Sequence, residues 1–526
     1  MTRENRNYLH RLIYVYSLSL AAVALPLSEF LLSISQFILA TNWLLEGNFK
    51  KKWDSAKTNK PLIVFLLLFF IHIIWLLNTN NFNYAFHDIR IKLPLFVLPF
   101  IIATTDALSK NELLKVLRYF NNAVLVSTFI MLALYFNCCG FEYTEVKSIS
   151  IFISHIRFSL MLVFSIFIYL YFLAVGNGYF TNKYKKVLYV LITIWQVFFL
   201  FLLHARTGMV VFLLVLPIFL IWAANRTQRV SLKIASYMFA FFVIALPILF
   251  TIYVINSFYN TDKIDFNNLP KYTAHHNKYY NNPNLKILEN GHYVWTNICY
   301  KELKEEWNKV SSIPFDSVDA KKQQIKYTII RYLTSKGLTK DADGIKHLTP
   351  QDIKLIEQGE TNYLAANKLS LYYLVYKIIW EIDVYKKTGD ANHHSVTQRY
   401  EFLKTAFAII KDNFWFGTGT GDVDDAFKKK YDELNTSLDK KHRLRAHNQL
   451  VTFFVTFGII GFFISLIAIF YPYFITKTHQ LFLANIFLFI IIFSFLNEDT
   501  LETQMGVTFF SFFYTIFVFG YKNKEL

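Results

Sequence analysis

Apolar runs long enough for membrane helices recur along this chain, and short polar stretches, many of them basic, separate them. They fall at about 12–27, 30–45, 61–77, 91–104, 119–136, 156–175, 187–204, 207–224 and 234–257. After a long polar segment come about 449–472, 479–496 and 504–521. The pattern predicts an all-α, polytopic membrane protein with about twelve transmembrane helices. Arg3, Arg6 and Arg11 precede the first run, and no small-residue cleavage site follows it. The start therefore reads as an uncleaved signal anchor with a cytoplasmic N-terminus.

With that orientation, Lys50–Lys60, Lys110–Arg118, Lys183–Lys186, Arg226–Lys233, Lys477 and the tail Lys522–Leu526 all fall on the inside. Basic clusters in short loops belong there. The same assignment puts Asn78–Arg90, Asn137–Arg157, His204–Gly208, the segment 258–448 and Asn497–Gln504 on the opposite face. A site gathered there has no ATP or nucleotide sugar at hand. It must use a donor already activated in the membrane.

The expected divisions are 1–257, membrane helices one to nine; 258–448, a mostly helical periplasmic cap; and 449–526, the last three helices. Within the cap, Asn256–Tyr300 reads as irregular, rich in Asn, Tyr and His. Amphipathic stretches follow at Lys301–Val310, Ala320–Ser335, Thr349–Gln358, Tyr363–Tyr385 and Val396–Asn413.

The chain has 526 residues, 54% of them hydrophobic, with 55 Phe and 33 Tyr, which excludes a single soluble domain. A net charge of +17 invites a nucleic-acid reading, but its distribution argues against one. Residues 258–446 hold 29 Lys and Arg against 24 Asp and Glu, leaving 25 basic against 13 acidic for the membrane part. That is topology bias, not a nucleic-acid patch. Cys138, Cys139 and Cys299 offer neither a disulfide framework nor zinc spacing, though either of the first two has an outside partner in Cys299.

Candidate chemistry centres on Arg443–Gly461, which begins polar and runs into an apolar helix. At ~100° per residue, a helix regular back to His447 puts Gly458 ~20° from the histidine's face and Gly461 ~40° to the other side. Small residues there let a neighbouring backbone approach closely. Alternatively Asn448 is the N-cap and His447 stands just outside the first turn. The order His447-Asn448, nine residues, Gly458, two residues, Gly461 resembles the signature of the O-antigen ligase family, membrane enzymes that move lipid-linked glycans onto acceptors. Two further blocks resemble it: Arg206 opening a helix after His204-Ala205, and Arg399 opening a helix that ends in the turn Gly417-Thr-Gly419-Thr-Gly421. The region Lys336–Glu360 is similar to the Bacteroidetes-type branch.

The resemblance implies glycan transfer from undecaprenyl pyrophosphate to a hydroxyl of lipid A-core, with His447 as base and arginines holding the pyrophosphate. It implies no metal and no nucleotide cofactor. The residue chemistry agrees. A guanidinium's planar fork suits pyrophosphate, and histidine accepts a proton near neutral pH. Arg90 and Arg157 are further candidates for a positive cleft wall, with interfacial anchoring as the alternative for each arginine. Arg445, Asn448 and Glu498 are expected to support the site. Glu498 and Glu502 share a face if their loop is helical. Asp422-Val-Asp424 reads as a turn with helix-starting acids rather than a metal motif, and the pairs His275-His276 and His393-His394 are poor ligand sets because adjacent side chains rarely converge. A glycan polymerase and a protein O-glycan ligase share the architecture. A non-catalytic polysaccharide transporter fits less well, because the apolar runs carry almost no mid-span charge.

Overall fold

A computed structural model describes residues 3–138, 140, 146–176, 182–261, 263–367 and 370–523. Every one of the twelve apolar runs is helical. The helices are Arg3–Ala24, Glu29–Glu46, Lys60–Ile74 with a 3-10 extension Trp75–Asn78, Pro94–Thr104, Lys110–Tyr135 and His155–Val175. Lys183–Leu202, Arg206–Arg226, Val230–Tyr259, Gln449–Ile475, Phe482–Asn497 and Gln504–Thr515 complete the set. Among the described residues, seven are long and apolar enough to cross a membrane: Lys60–Asn78, Lys110–Tyr135, His155–Val175, Lys183–Leu202, Arg206–Arg226, Val230–Tyr259 and Gln449–Ile475.

Local sequence sets the helix ends. Ser109 and Glu112 form a reciprocal capping box at the start of Lys110–Tyr135. Arg11 then grips Glu112 through Nε and Nη2, at 2.8 and 2.6 Å, and donates to the carbonyls of Asp106 and Ala107. Asn59 caps Lys60–Ile74, with Pro61 in the first turn where its missing N–H costs nothing.

The chain divides into two compact units. Residues 1–244, 402–436 and 443–526 form the first, and 245–401 with 437–442 form the second. In the first, Lys60–Ile74 packs along Gln449–Ile475, and His155–Val175 packs on Lys183–Leu202 and Arg206–Arg226. Aromatic rings fill the centre: Phe513 lies 4.9 Å from Phe120 and 5.0 Å from Phe164, edge to face. Between apolar helices such close packing supplies the dispersion energy that lipid cannot.

Gln449–Ile475 is not one regular helix. Gly458 adopts φ 64° and ψ −170°, so the helical ladder breaks there and a stripe of two glycines on a straight helix is not formed. The freed backbone groups are met by the glycine turn. Thr418 N–H donates to Val455 O (2.8 Å), Gly419 N–H to Thr456 O (3.0 Å), and Ile459 N–H to Phe414 O (2.8 Å). All three repair a break that would otherwise leave polar groups orphaned. The turn also reaches Asn78 and Asn81, whose carbonyls lie where a Cβ on Gly419 or Gly421 would stand.

The second unit has its own core, with Trp307, Ile325, Ile329, Ile330, Tyr332 and Leu333 buried. A two-stranded hairpin, Leu288–Glu289 against His292–Tyr293, carries the buried Glu289. That carboxylate accepts from Arg331 Nε (2.7 Å), Asn362 Nδ2 (3.0 Å) and Tyr376 Oη (3.0 Å), so its charge is compensated. The expected helix from Ala320 starts only at Ile325. Asp319 takes the N–H groups of Lys321 and Gln323 instead, a local turn that competes with helix. The expected stretch Tyr363–Tyr385 is a 3-10 turn, Tyr363–Ala366, and a separate helix, Leu371–Thr388. Cys138 and Cys299 are free thiols, and Cys139 lies outside the described residues.

Candidate functional site

Asn448 is the N-cap of Gln449–Ile475: its side chain accepts from Val451 N–H at 3.1 Å. His447 therefore stands before the helix, with φ 48°, rather than on its face. A non-glycine residue in the left-handed region needs outside support. Asp499 provides it, accepting from His447 N–H (3.0 Å), Asn448 N–H (3.2 Å) and Thr452 Oγ1 (2.6 Å). Burial, and then neighbouring Glu502, push the Asp499 carboxyl above the usual range, against the pull of Thr452, His447 and Arg445. The His447 ring is 30% exposed, packs 5.6 Å from Phe402 and puts Nδ1 3.8 Å from Glu498 Oε2.

Glu498 in turn lines a small cavity with Ser154, Ile156, Arg157, Leu160, Ser494 and Thr500. Arg157 Nε is buried there with no hydrogen-bond partner among the described residues. A guanidinium N–H left unmet is costly, and an anion would satisfy it. Asn497 Nδ2 donates to Thr207 Oγ1 at 3.0 Å, next to Arg206. The segment 497–502 thus touches the start of three helices, those beginning at His155, Arg206 and Gln449. Arg206 is exposed at the head of its helix and makes no side-chain bond among the described residues.

Glu498 and Glu502 do not share a helical face. Asn497 ends a helix, Glu498 is extended at φ −149° and ψ 152°, and Thr500–Glu502 is a 3-10 turn. Glu502 turns to a different set of partners. It accepts from Lys92 Nζ (3.0 Å), Arg445 Nη1 (3.2 Å) and Gln449 Nε2 (3.1 Å). Arg445 also bonds Asp424 Oδ1 and Tyr84 Oη, each at 2.5 Å, and Lys92 bonds Asp88 Oδ1 at 2.7 Å. Burial alone would raise the Glu502 carboxyl, but the charges of Lys92 and Arg445 hold it well below its ordinary value. Burial works against the Arg445 cation too, yet Glu502, Tyr84 and Asp424 outweigh it and raise its pKa. This network fixes the polypeptide just before His447.

Arg90 closes the helix Phe82–Lys92 rather than heading the next span, which starts at Pro94 because proline favours a helix's first turn. It is exposed, with Nη2 3.1 Å from His87 Nδ1. Arg399 is half-buried near the start of Ser395–Asp412, counted with the second unit. Gly461 is buried, and a Cβ there would stand 2.3 Å from Phe457 Cβ and 2.9 Å from Ile71 Cδ1. Asp422 accepts the N–H groups of Asn80 and Asn81, whereas Asp424 faces Arg445, so the two acids do not converge. Sequence reasoning missed Asp499, Lys92, Asp424 and Tyr84. Asp499 lies within the acidic stretch Glu498–Glu502, so its proximity to a site residue was the available signal.

The fold and this polar gathering at helix ends define an all-helical membrane protein with a charged site built on loops. Residues 360–466 match the family model described as O-antigen ligase, so the chain carries a stretch similar to that family. The matched stretch contains Arg399, Arg445, His447, Asn448, Gly458 and Gly461. A search of curated proteins finds no match to the chain. The domain supports a membrane glycan ligase or polymerase type of transferase.

Proposed function

We propose that this protein transfers a glycan from undecaprenyl pyrophosphate to a hydroxyl of lipid A-core, at the periplasmic face of a bacterial inner membrane. In this reading twelve helices span the membrane, residues 258–448 are periplasmic, and both termini are cytoplasmic. The observation that carries the proposal is the segment 497–502, which links His447, Arg157 and the helix headed by Arg206. Membrane lipids would flank the lipid tails of donor and acceptor.

A pyrophosphate leaving group is already good, so the reaction needs one base and charge stabilisation. The acceptor hydroxyl gives its proton to His447, its oxygen bonds the anomeric carbon, and the sugar–phosphate bond breaks with the electron pair leaving on pyrophosphate. Glu498 beside Nδ1 orients the ring and stabilises the imidazolium, leaving Nε2 to take the proton. Arg157 and Arg206 receive the departing charge, with Arg399 and Arg90 completing the donor set. Asn448 and Arg445 position the histidine, and Gly458 and Gly461 permit the packing beneath it.

The test is transfer from purified lipid-linked donor, with lipid A-core, glycan and protein acceptors offered side by side. Transfer to lipid A-core is expected. Transfer only to glycan or protein would make the chain a polymerase or a protein O-glycan ligase, and donor binding without any transfer would remove the enzyme reading.

A further inference from the structure

His393, Asp439 and His442 lie together in the second unit, His393 some forty-six positions before Asp439, and outside the glycan-transfer residues. Each offers one ligand atom, and the three atoms lie within 4.8 Å of one another. The two imidazoles meet edge to face, with centroids 4.7 Å apart and planes at 77°. His442 Nε2 is buried and has no hydrogen-bond partner among the described residues. A buried ring nitrogen without a partner is costly unless something fills the place.

The surrounding backbone is pinned in advance. Asp439 N–H donates to Asn392 Oδ1 (2.9 Å), Asn392 Nδ2 to Ser437 O (2.8 Å), and Ser437 Oγ to Gly389 O (2.8 Å). The segment 437–442 is thereby laced to the turn 389–393 that carries His393. The carboxylate's ion-pair partner is Lys441, whose Nζ stands 3.8 Å from Asp439 Oδ2 and is mostly exposed.

We propose that His393, Asp439 and His442 bind one zinc-class divalent cation that clamps the segment 437–442 to the turn 389–393. Two imidazoles and a carboxylate are a zinc ligand set, with water in the fourth position. Tetrahedral coordination at ~2.0–2.1 Å brings ligand atoms to about 3.4 Å apart. The ligand atoms now lie within 4.8 Å of one another, so binding requires the exposed His393 and Asp439 side chains to close on His442. Magnesium and calcium, which prefer all-oxygen shells, are not expected to compete.

The experiment uses the full chain, purified in detergent without a polyhistidine tag, stripped with chelator and dialysed against Zn2+ alone. Wild type should retain one equivalent in the presence of excess Mg2+. His393→Ala and His442→Ala should each lose that equivalent, and Asp439→Asn should bind more weakly. The double variant His275→Ala/His276→Ala should keep it. Co2+ bound to unmutated protein should give the visible absorption of a tetrahedral nitrogen–oxygen site, a readout independent of whether variants fold. Wild type that holds no stoichiometric Zn2+ overturns the proposal, as does an equivalent retained by both histidine variants or lost from the His275/His276 control.

Discussion

Gly417 and Gly458 stand back to back: a Cβ on Gly417 would lie 2.5 Å from Gly458 N, and one on Gly458 would lie 2.3 Å from the Trp415 carbonyl. Both have positive φ, 66° and 64°. The break in the helix and the glycine turn are one device, because each supplies the backbone partners the other lacks.

Gly458→Ala is therefore expected to destabilise the protein by at least ~1–3 kcal/mol, from left-handed strain and backbone overlap together. Gly417→Ala should cost a similar amount. The double variant should cost less than the sum, since either change opens the same contact. Thermal unfolding of the four proteins in detergent checks this, and strict additivity would refute it.

His447→Ala should reduce transfer by ~10²–10⁴-fold, the usual worth of a general base, while donor binding survives on the arginines. Unligated lipid-linked glycan should accumulate. A folded, donor-binding variant that transfers at close to the wild-type rate would remove His447 from the base role.

Arg206→Lys should lose nearly as much activity as Arg206→Ala, because lysine keeps the charge but not the planar fork. Arg157→Lys should behave alike, since the unmet N–H at Nε disappears with the guanidinium. Substantial rescue by lysine at either position would leave that arginine as an interfacial anchor. Steady-state transfer assays, with insertion checked separately, decide between these outcomes.

Glu502 should make stability depend on acid. Its folded pKa lies below the unfolded one, so it binds fewer protons when folded. Its contribution is fully present above the ordinary glutamate value of ~4.3 and is lost as pH falls through that value to the folded one. The difference in melting temperature between wild type and Glu502→Gln should shrink as the pH falls through that window. A difference that stays constant or grows toward acid would contradict the assigned charge state.

The proposed topology predicts that a cysteine at Asn284 is labelled by an impermeant reagent in intact spheroplasts and one at Lys57 is not, in a background lacking the three native cysteines. The reverse pattern would overturn the orientation and the mechanism with it.

The helical class, the position of each apolar run and the family domain were legible in the sequence, because hydrophobic length and cap residues act locally. Side chains of Ser28, Asn59, Ser109 and Asn448 cap four of the twelve helices, and Pro94 opens another. The residue order from His447 to Gly461 was equally plain. What that order could not reveal is the break at Gly458, since the partners that make it tolerable come from Phe414, Thr418 and Gly419, some forty positions earlier. Nor could it show that Asp499 holds the backbone at His447, that Glu498 and Glu502 face different partners, or that His393 meets His442. Those are contacts between distant segments, and only packing of the folded chain, with every buried charge and backbone group needing a partner, decides which of them form.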